Sequence, residues 1–366
     1  MKRRDFVKGA ALAASAAAGA AALATPAIAR QMRQLKMVTT WPKGFPGLGT
    51  GAQRLADSIT AMTDGRLTVK LYGGGELVPA LESFDAVSSG TADMYHGAEY
   101  YWQGKSKAFN FFTAVPFGLT ANEMDAWLYY GGGQELWDEL SGDFNIKAFP
   151  AGNTGVQMGG WFNKELNSVE DYKGLKMRMP GLGGEVLRQI GAQSITLPGG
   201  EIFPSLQSGA IDATEWVGPW NDLAMGFYKV TKFYYYPGFH EPGSTLSCGV
   251  NADVWNGLSK SDQAVVQFAC AAENNRMFGE FNAKNSDSLD TLINKHGVQL
   301  RRQSDGILKA LGDASGDVMA TIAAEDAITR KIYDNFLDFR KKALGWTSLS
   351  ETAYTSARAL DYKYGS

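Results

Sequence analysis

Hydrophobic and polar positions alternate along this chain in a repeating order once the first thirty residues are set aside. QLKMVTT is strand-like, a polar helix-like stretch ends at Met62, and GRLTVKLY alternates with period two. A helical PALESFDAVSS and a short ADMYH come next. This β-α-β-α-β order predicts an α/β sheet with crossover helices. Further on, FNIKAFPAGNTGVQMGGWFN reads as two strands joined across AGNTG, and GLKMRMPG as a short strand with Lys176 and Arg178 on one face. FYYYPGFHEPG carries an aromatic strand into a Pro/Gly turn, and STLSCGVN is strand-like again. From about Ser259 the apolar spacing is mostly helical. The Gly-poor stretch 316–346 is the segment best suited to brace two domains or to join a partner.

A short internal echo sharpens this picture. FDAVSSGTADMYHG (84–97) and FPSLQSGAIDATEW (203–216) share an apolar helix, Ser-Gly, two residues and Asp. Each glycine suits the left-handed residue that closes a helix, after which the chain enters a buried strand. Two copies point to two similar domains. The segment after each strand then lies at the carboxyl end of a sheet, where open α/β sheets bind ligands. Those segments are HGAEYYWQG (96–104) and EWVGPWND (215–222), so a cleft between domains is expected there.

The composition is ordinary for a soluble chain: 366 residues, 45% hydrophobic and 20% charged, room for two domains. Residues 1–29 stand apart, with a basic start, an alanine-rich run and an Ala-x-Ala site at Ala27 and Ala29, a secretory signal. Arg3-Arg4 followed by Asp5, Phe6, Val7 and Lys8 resembles the twin-arginine export motif, which predicts a periplasmic mature chain. Its removal takes away four basic residues and one acid, moving the net charge from −3 to −6 and excluding the basic face that nucleic acid requires. In an oxidising compartment Cys248 and Cys270 could pair, with two buried, unpaired thiols the favoured reading. His96, His240 and His296 have no spacing for a zinc site.

Glu215, flanked by tryptophans at a strand end, is costly to bury unless a cation or hydrogen-bond donors balance it. Arg178 is the candidate for an acidic substrate, since a guanidinium can hold a carboxylate through two parallel hydrogen bonds. Gln157 and Asn153 offer amides that serve a ligand or cap turns. Tyr100, Tyr101 and Trp102 form an aromatic run suited to a core or to a small-molecule cleft. Glu99 and Glu241 read as solvated acceptors. No G-x-S-x-G, H-E-x-x-H or G-x-x-x-x-G-K motif occurs.

GRLTVKLYGGGELVPALESFDAVSSGTADM, GNTGVQMGGWF, YKGLKMRMPG and SGAIDATEWVGP together closely resemble the periplasmic substrate-binding subunit of TRAP (tripartite ATP-independent periplasmic) transporters. The branch that binds 2-oxoacids such as pyruvate with a metal ion is the nearest. The resemblance runs from about Leu35 to the C-terminal helices. It implies an α/β, two-domain periplasmic binding protein fold with an interdomain cleft and a helical C-terminal extension. Domain I is expected at 30–152 plus about 241–270, domain II at 153–240 plus part of the C-terminal region, and a bracing or dimerising segment at about 271–366.

By the same resemblance Arg178 binds the substrate carboxylate, while Gln157, Glu215 and the Trp216 carbonyl hold Na⁺ or Ca²⁺, a hard cation suited to oxygen donors. Asn153, Tyr100, Tyr101 and Glu241 fall at ligand-contacting positions. Glu99, His240 and Pro242 depart from the branch. Membrane permease subunits and a homodimer through the C-terminal helices are the implied partners. A Tat-exported enzyme acting on a carboxylic acid and a ligand-sensing binding protein are the competing readings.

Overall fold

The computed structural model describes residues 32–364, so the signal segment read at 1–29 lies outside the described residues. Eleven strands are described: β1 Arg33–Thr39, β2 Leu67–Tyr72, β3 Met94–Gly97, β4 Ile146–Asn153, β5 Gly160–Phe162, β6 Lys176–Arg178, β7 Gln193–Ile195, β8 Ala213–Thr214, β9 Phe233–Tyr236, β10 Thr245–Asn251 and β11 Gln299–Arg302. They form two mixed sheets, ordered β2-β1-β3-β10-β4 and β11-β9-β5-β8-β6-β7.

The echo corresponds to one local construction built twice. Helix Ser83–Ser88 and helix Gly199–Ser208 each run to a glycine of positive φ, Gly90 (80°) and Gly209 (74°), then into β3 and β8. The aspartate after each glycine clamps the neighbouring parallel strand. Asp93 N donates to Lys36 O at 3.0 Å and its Oδ2 accepts from Lys36 N at 2.7 Å. Asp212 repeats both bonds with Lys176, at 2.7 and 3.0 Å. The motif therefore pins β1 at its middle residue Lys36 and β6 at its first residue Lys176, and with it where β6 delivers its last residue, Arg178.

The chain crosses between the sheets three times: through two short connectors, 154–159 from β4 to β5 and 237–244 from β9 to β10, and through the helical stretch 252–298 from β10 to β11. The two short connectors lie side by side, bonded through Gln157 N to Glu241 O (3.0 Å), Gly238 N to Gln157 O (3.0 Å) and Thr154 N to Ser244 O (3.0 Å). Candidate residues Gln157 and Glu241 thus sit on the crossings themselves.

Helix Lys260–Asp290 packs on β4 and on helix Leu48–Met62 of the first sheet, and on helix Pro219–Met225 of the second lobe. The stretch 316–346 is not one element. Helix Asp305–Ile322 ends, Asp326 caps a new start by accepting from Thr329 N at 2.7 Å, and helix Ala327–Leu349 begins. The first helix lies on helix Gly181–Gln189 of the second lobe; the next sets Phe336 against Phe111 and Trp127 of the first, ring centroids 5.3 and 5.2 Å apart. Bracing is therefore shared between this pair and the long helix. Cys248 on β10 and Cys270 on the long helix are both buried and free. No helix among the described residues is long and apolar enough to cross a membrane.

Candidate functional site

Three strand ends and the two connectors converge on one buried cluster. β6 ends at Arg178, β8 ends one residue before Glu215, and β3 leads into the single turn Glu99–Trp102. Because β6 and β8 are parallel and in register at Arg178 and Thr214, the guanidinium and the Glu215 carboxylate face each other across adjacent strands. Both side chains are fully buried.

Arg178 is held on every side. Nη1 donates to the Glu215 carboxylate and to the Glu215 carbonyl (3.2 Å), Nε to Leu197 O (3.2 Å) and Nη2 to Tyr101 Oη (3.3 Å). Its guanidinium carbon lies 5.1 Å from the centre of the Trp216 ring, a cation–π arrangement. Burial lowers the Arg178 pKa and the Glu215 charge raises it, with a net upward shift. Four of the five guanidinium N–H groups are thereby engaged, so a bidentate grip on a second carboxylate needs Glu215 or Tyr101 to yield. Arg178 thus supplies the balancing charge and donors that a buried Glu215 requires.

His240 does so too. Its Nε2 lies 3.2 Å from Glu215 Oε2, and one ligand atom each from Glu215, His240 and Glu241 lies within 4.8 Å of the others. Burial lowers the His240 pKa, but the hydrogen bond and charge of Glu215 outweigh it and the pKa is raised. Histidine spacing alone offers no sign of a site, whereas the fold places one histidine in the cluster. Glu241, read as solvated, is 3% exposed; burial and the neighbouring Glu215 push it up to about 7. Glu99, also read as solvated, is fully buried on the far side of the aromatic turn. Its Oε1 accepts from Tyr95 Oη at 2.5 Å, Oε2 has no partner, and burial pushes the group up to about 7.

Gln157 donates from Nε2 to Glu241 Oε2 (2.7 Å) and Thr154 Oγ1 (3.1 Å), which leaves its Oε1 buried and without a partner. The Trp216 carbonyl likewise accepts no hydrogen bond among the described residues. Two neutral oxygens lacking donors beside buried carboxylates are what a hard cation requires, so the donor set fits Na⁺ or Ca²⁺. Asn153 has both amide ends occupied, Oδ1 by Gly155 N at 2.8 Å and Nδ2 by Thr245 Oγ1 at 3.2 Å. Here it caps the turn.

Tyr100 and Tyr101 meet edge to face at 4.8 Å, and Trp41 from the first lobe meets Trp216 from the second at 6.2 Å. Gly181, with φ of +62°, lets the second lobe approach Tyr100: a Cβ there would lie 3.1 Å from Tyr100 Cβ and 2.8 Å from Asn110 Oδ1. The lobes therefore touch across the site. The residue of this cluster to which sequence reasoning gave no role is His240. A histidine next to Glu241 in a Pro/Gly turn between two strands was the one available signal for it.

Comparisons with known proteins bear on this geometry. The family model of the bacterial extracellular solute-binding protein, family 7, matches residues 37–326. The chain is 42% identical over 358 residues to a monocarboxylate 2-oxoacid-binding periplasmic protein of Nostoc sp., covering 97% of this chain and 98% of that one. A TRAP periplasmic solute binding protein from Pseudoalteromonas atlantica, solved with bound sodium and pyruvate, superposes with a TM-score of 0.87 at 39% identity, covering 90% of this chain and all of that one. Another from Colwellia psychrerythraea, with bound calcium and pyruvate, gives 0.86 at 41% identity, covering 89% and 99%.

Proposed function

The chain belongs to the bacterial extracellular solute-binding protein family 7, the solute-binding subunits of TRAP transporters, and we propose that it captures a small 2-oxo monocarboxylate, pyruvate or 2-oxobutyrate, together with Na⁺ or Ca²⁺. The observation that carries this reading is the orphaned Gln157 Oε1 beside the Glu215 and Glu241 carboxylates. Arg178 orients the acid's carboxylate through its remaining N–H and through whatever Glu215 releases. Gln157, Glu215 and the Trp216 carbonyl would hold the cation. When bound, it supplies the positive charge that lets two carboxylates and an anionic substrate share a dry site. Tyr100, Tyr101 and Glu241 line the acid, and Asn153 shapes the turn that carries Gln157.

Closure of the lobes over the acid then creates the surface recognised by the membrane subunits. Binding is the whole of its chemistry, without turnover. The chain reaches the periplasm by twin-arginine export with cleavage near Ala29. It forms a homodimer through its last helices, where Trp346 and Leu349 are 71% and 77% exposed and Tyr354, Leu360 and Tyr364 extend the apolar surface. Domain I at 30–152 plus about 241–270, domain II at 153–240 plus part of the C-terminal region, and a bracing segment at about 271–366 are part of this proposal.

A thermal-shift screen of 2-oxo, 2-hydroxy and dicarboxylic acids, with and without Na⁺ and Ca²⁺, tests this function. Stabilisation by 2-oxo monocarboxylates that requires a cation is expected. Stabilisation by dicarboxylates alone, or turnover of a candidate acid, would overturn it.

A further inference from the structure

The segment that carries Glu215 continues to Asp222, a buried carboxyl. Asp222 is 1% exposed and accepts three hydrogen bonds: Trp161 Nε1 (2.9 Å) and Tyr234 Oη (2.7 Å) on Oδ2, and Val217 N (3.2 Å) on Oδ1. Trp161 and Tyr234 are paired residues on β5 and β9, stacked at 4.1 Å, so two strands of the second sheet anchor the carboxyl in place.

The third bond reaches the peptide unit that joins Trp216 to Val217. That peptide is trans, so its N–H and its C=O point in opposite directions. Fixing the Val217 N–H on Asp222 therefore fixes the Trp216 carbonyl on the opposite side. The neighbouring carbonyls are spoken for: Glu215 O accepts from Thr214 Oγ1 (2.8 Å) and Arg178 Nη1 (3.2 Å), and Val217 O from Met158 N (3.1 Å). Trp216 O alone in this run lacks a donor among the described residues. A hydrogen bond to an amide N–H also enriches the electron density of its own carbonyl oxygen, as successive hydrogen bonds polarise one another.

We infer that Asp222 is a positioning residue for cation capture: through the Val217 N–H it aims and polarises the Trp216 carbonyl, while the sheet anchors the carboxyl through Trp161 and Tyr234. The inference rests on the cation-dependent binding proposed above. It makes the sheet, through Asp222, part of the cation site without any contact between Asp222 and the ion. Groups that orient metal ligands in this way carry about ten- to a hundredfold in metal affinity.

The test is calorimetry on the mature protein with Ca²⁺ and pyruvate as probes. In Asp222→Ala the Kd for Ca²⁺ at saturating pyruvate should rise about tenfold or more, while the Kd for pyruvate at saturating Ca²⁺ changes less than about threefold. Asp222→Asn, which keeps an oxygen for the Val217 amide, should recover most of the Ca²⁺ affinity. Equal weakening for both probes, or an unchanged Ca²⁺ Kd in Asp222→Ala, would overturn the positioning role.

A measurement on wild type decides the matter even where Asp222→Ala does not fold. With ¹⁵N-valine labelling, the Val217 amide should exchange slowly without Ca²⁺, and its ¹⁵N resonance should move when Ca²⁺ and pyruvate are added. A Val217 amide that exchanges like an exposed loop overturns the inference. Wild type that binds pyruvate without any cation overturns the functional reading instead, and the two failures are told apart by the Val217 amide.

Discussion

Replacing Arg178 with Met leaves Glu215 in a fully buried position with only His240 facing its carboxylate. Removing one partner of a buried ion pair destabilises by about 3–5 kcal/mol, because the remaining charge is left uncompensated. The Glu215 carbonyl keeps Thr214 Oγ1 at 2.8 Å, but Leu197 O loses the Arg178 Nε donor, adding about 1 kcal/mol. Arg178→Met should therefore lower the unfolding free energy by about 4 kcal/mol, and Glu215→Met by a similar amount, since it leaves the guanidinium buried with carbonyl and hydroxyl acceptors only. The double variant removes both charges of the pair together and should lose about 2 kcal/mol, the cost of the carbonyl and hydroxyl partners left behind. The coupling is then about 6 kcal/mol, near the top of the range measured for close charge pairs. Urea unfolding of the cation-free protein, followed by tryptophan fluorescence, measures all three. Single effects that add to within about 1 kcal/mol in the double variant would show that the two residues do not compensate each other, and the electrostatic account of the site would fall.

Glu99 is pushed up to about 7 in the fold, so between its ordinary range near 4.5 and about 7 the folded state binds the proton more tightly than the unfolded state. Its contribution is present at low pH and is lost as pH rises through that window, by about 3 kcal/mol in all. Glu99→Gln should flatten this part of the stability–pH profile and make the variant the more stable protein at pH 8; an unchanged profile from urea unfolding would refute it. Gln157→Leu removes the orphaned Oε1 and should weaken cation binding about tenfold in calorimetry with Ca²⁺ and pyruvate, while an unaltered Ca²⁺ dependence would remove Gln157 from the donor set. Trp346→Glu with Leu349→Glu should convert a dimer to a monomer in light scattering without altering the melting of the lobes; a persistent dimer would place the interface elsewhere.

Much of the framework could be read from local pattern because it rests on local chemistry. The Ser-Gly-x-x-Asp echo marks a helix stop and a strand clamp, and by pattern alone it puts Glu215 at the carboxyl end of β8. The residues that escaped are those whose surroundings are set by distant pairing. Arg178 and Glu215 meet because β6 and β8 are parallel in a particular register, which no spacing along the chain reveals. Glu99 comes after a strand and opens an aromatic turn, and Tyr95 from that same strand donates its hydroxyl to the buried carboxyl. His240 and Glu241 sit in a Pro/Gly turn that looks like a surface loop, and they are buried because the connector beside it, 154–159, hydrogen-bonds along it. Asp222 resembles a first-turn helix acid in sequence; its three donors come from β5, β9 and the loop after β8. The break at 323–326 escaped the reading of 316–346 as one segment, although Asp326 is a good N-cap residue in front of a new apolar repeat.

At the centre of this account, a 2-oxoacid binds only in company with a cation. Protein stripped with a chelator and dialysed into potassium buffer should be titrated with pyruvate alone, with Na⁺, and with Ca²⁺. Affinity at least about tenfold higher with one of the cations, a difference of about 1.4 kcal/mol, is the predicted result. The same Kd in all three titrations would contradict it.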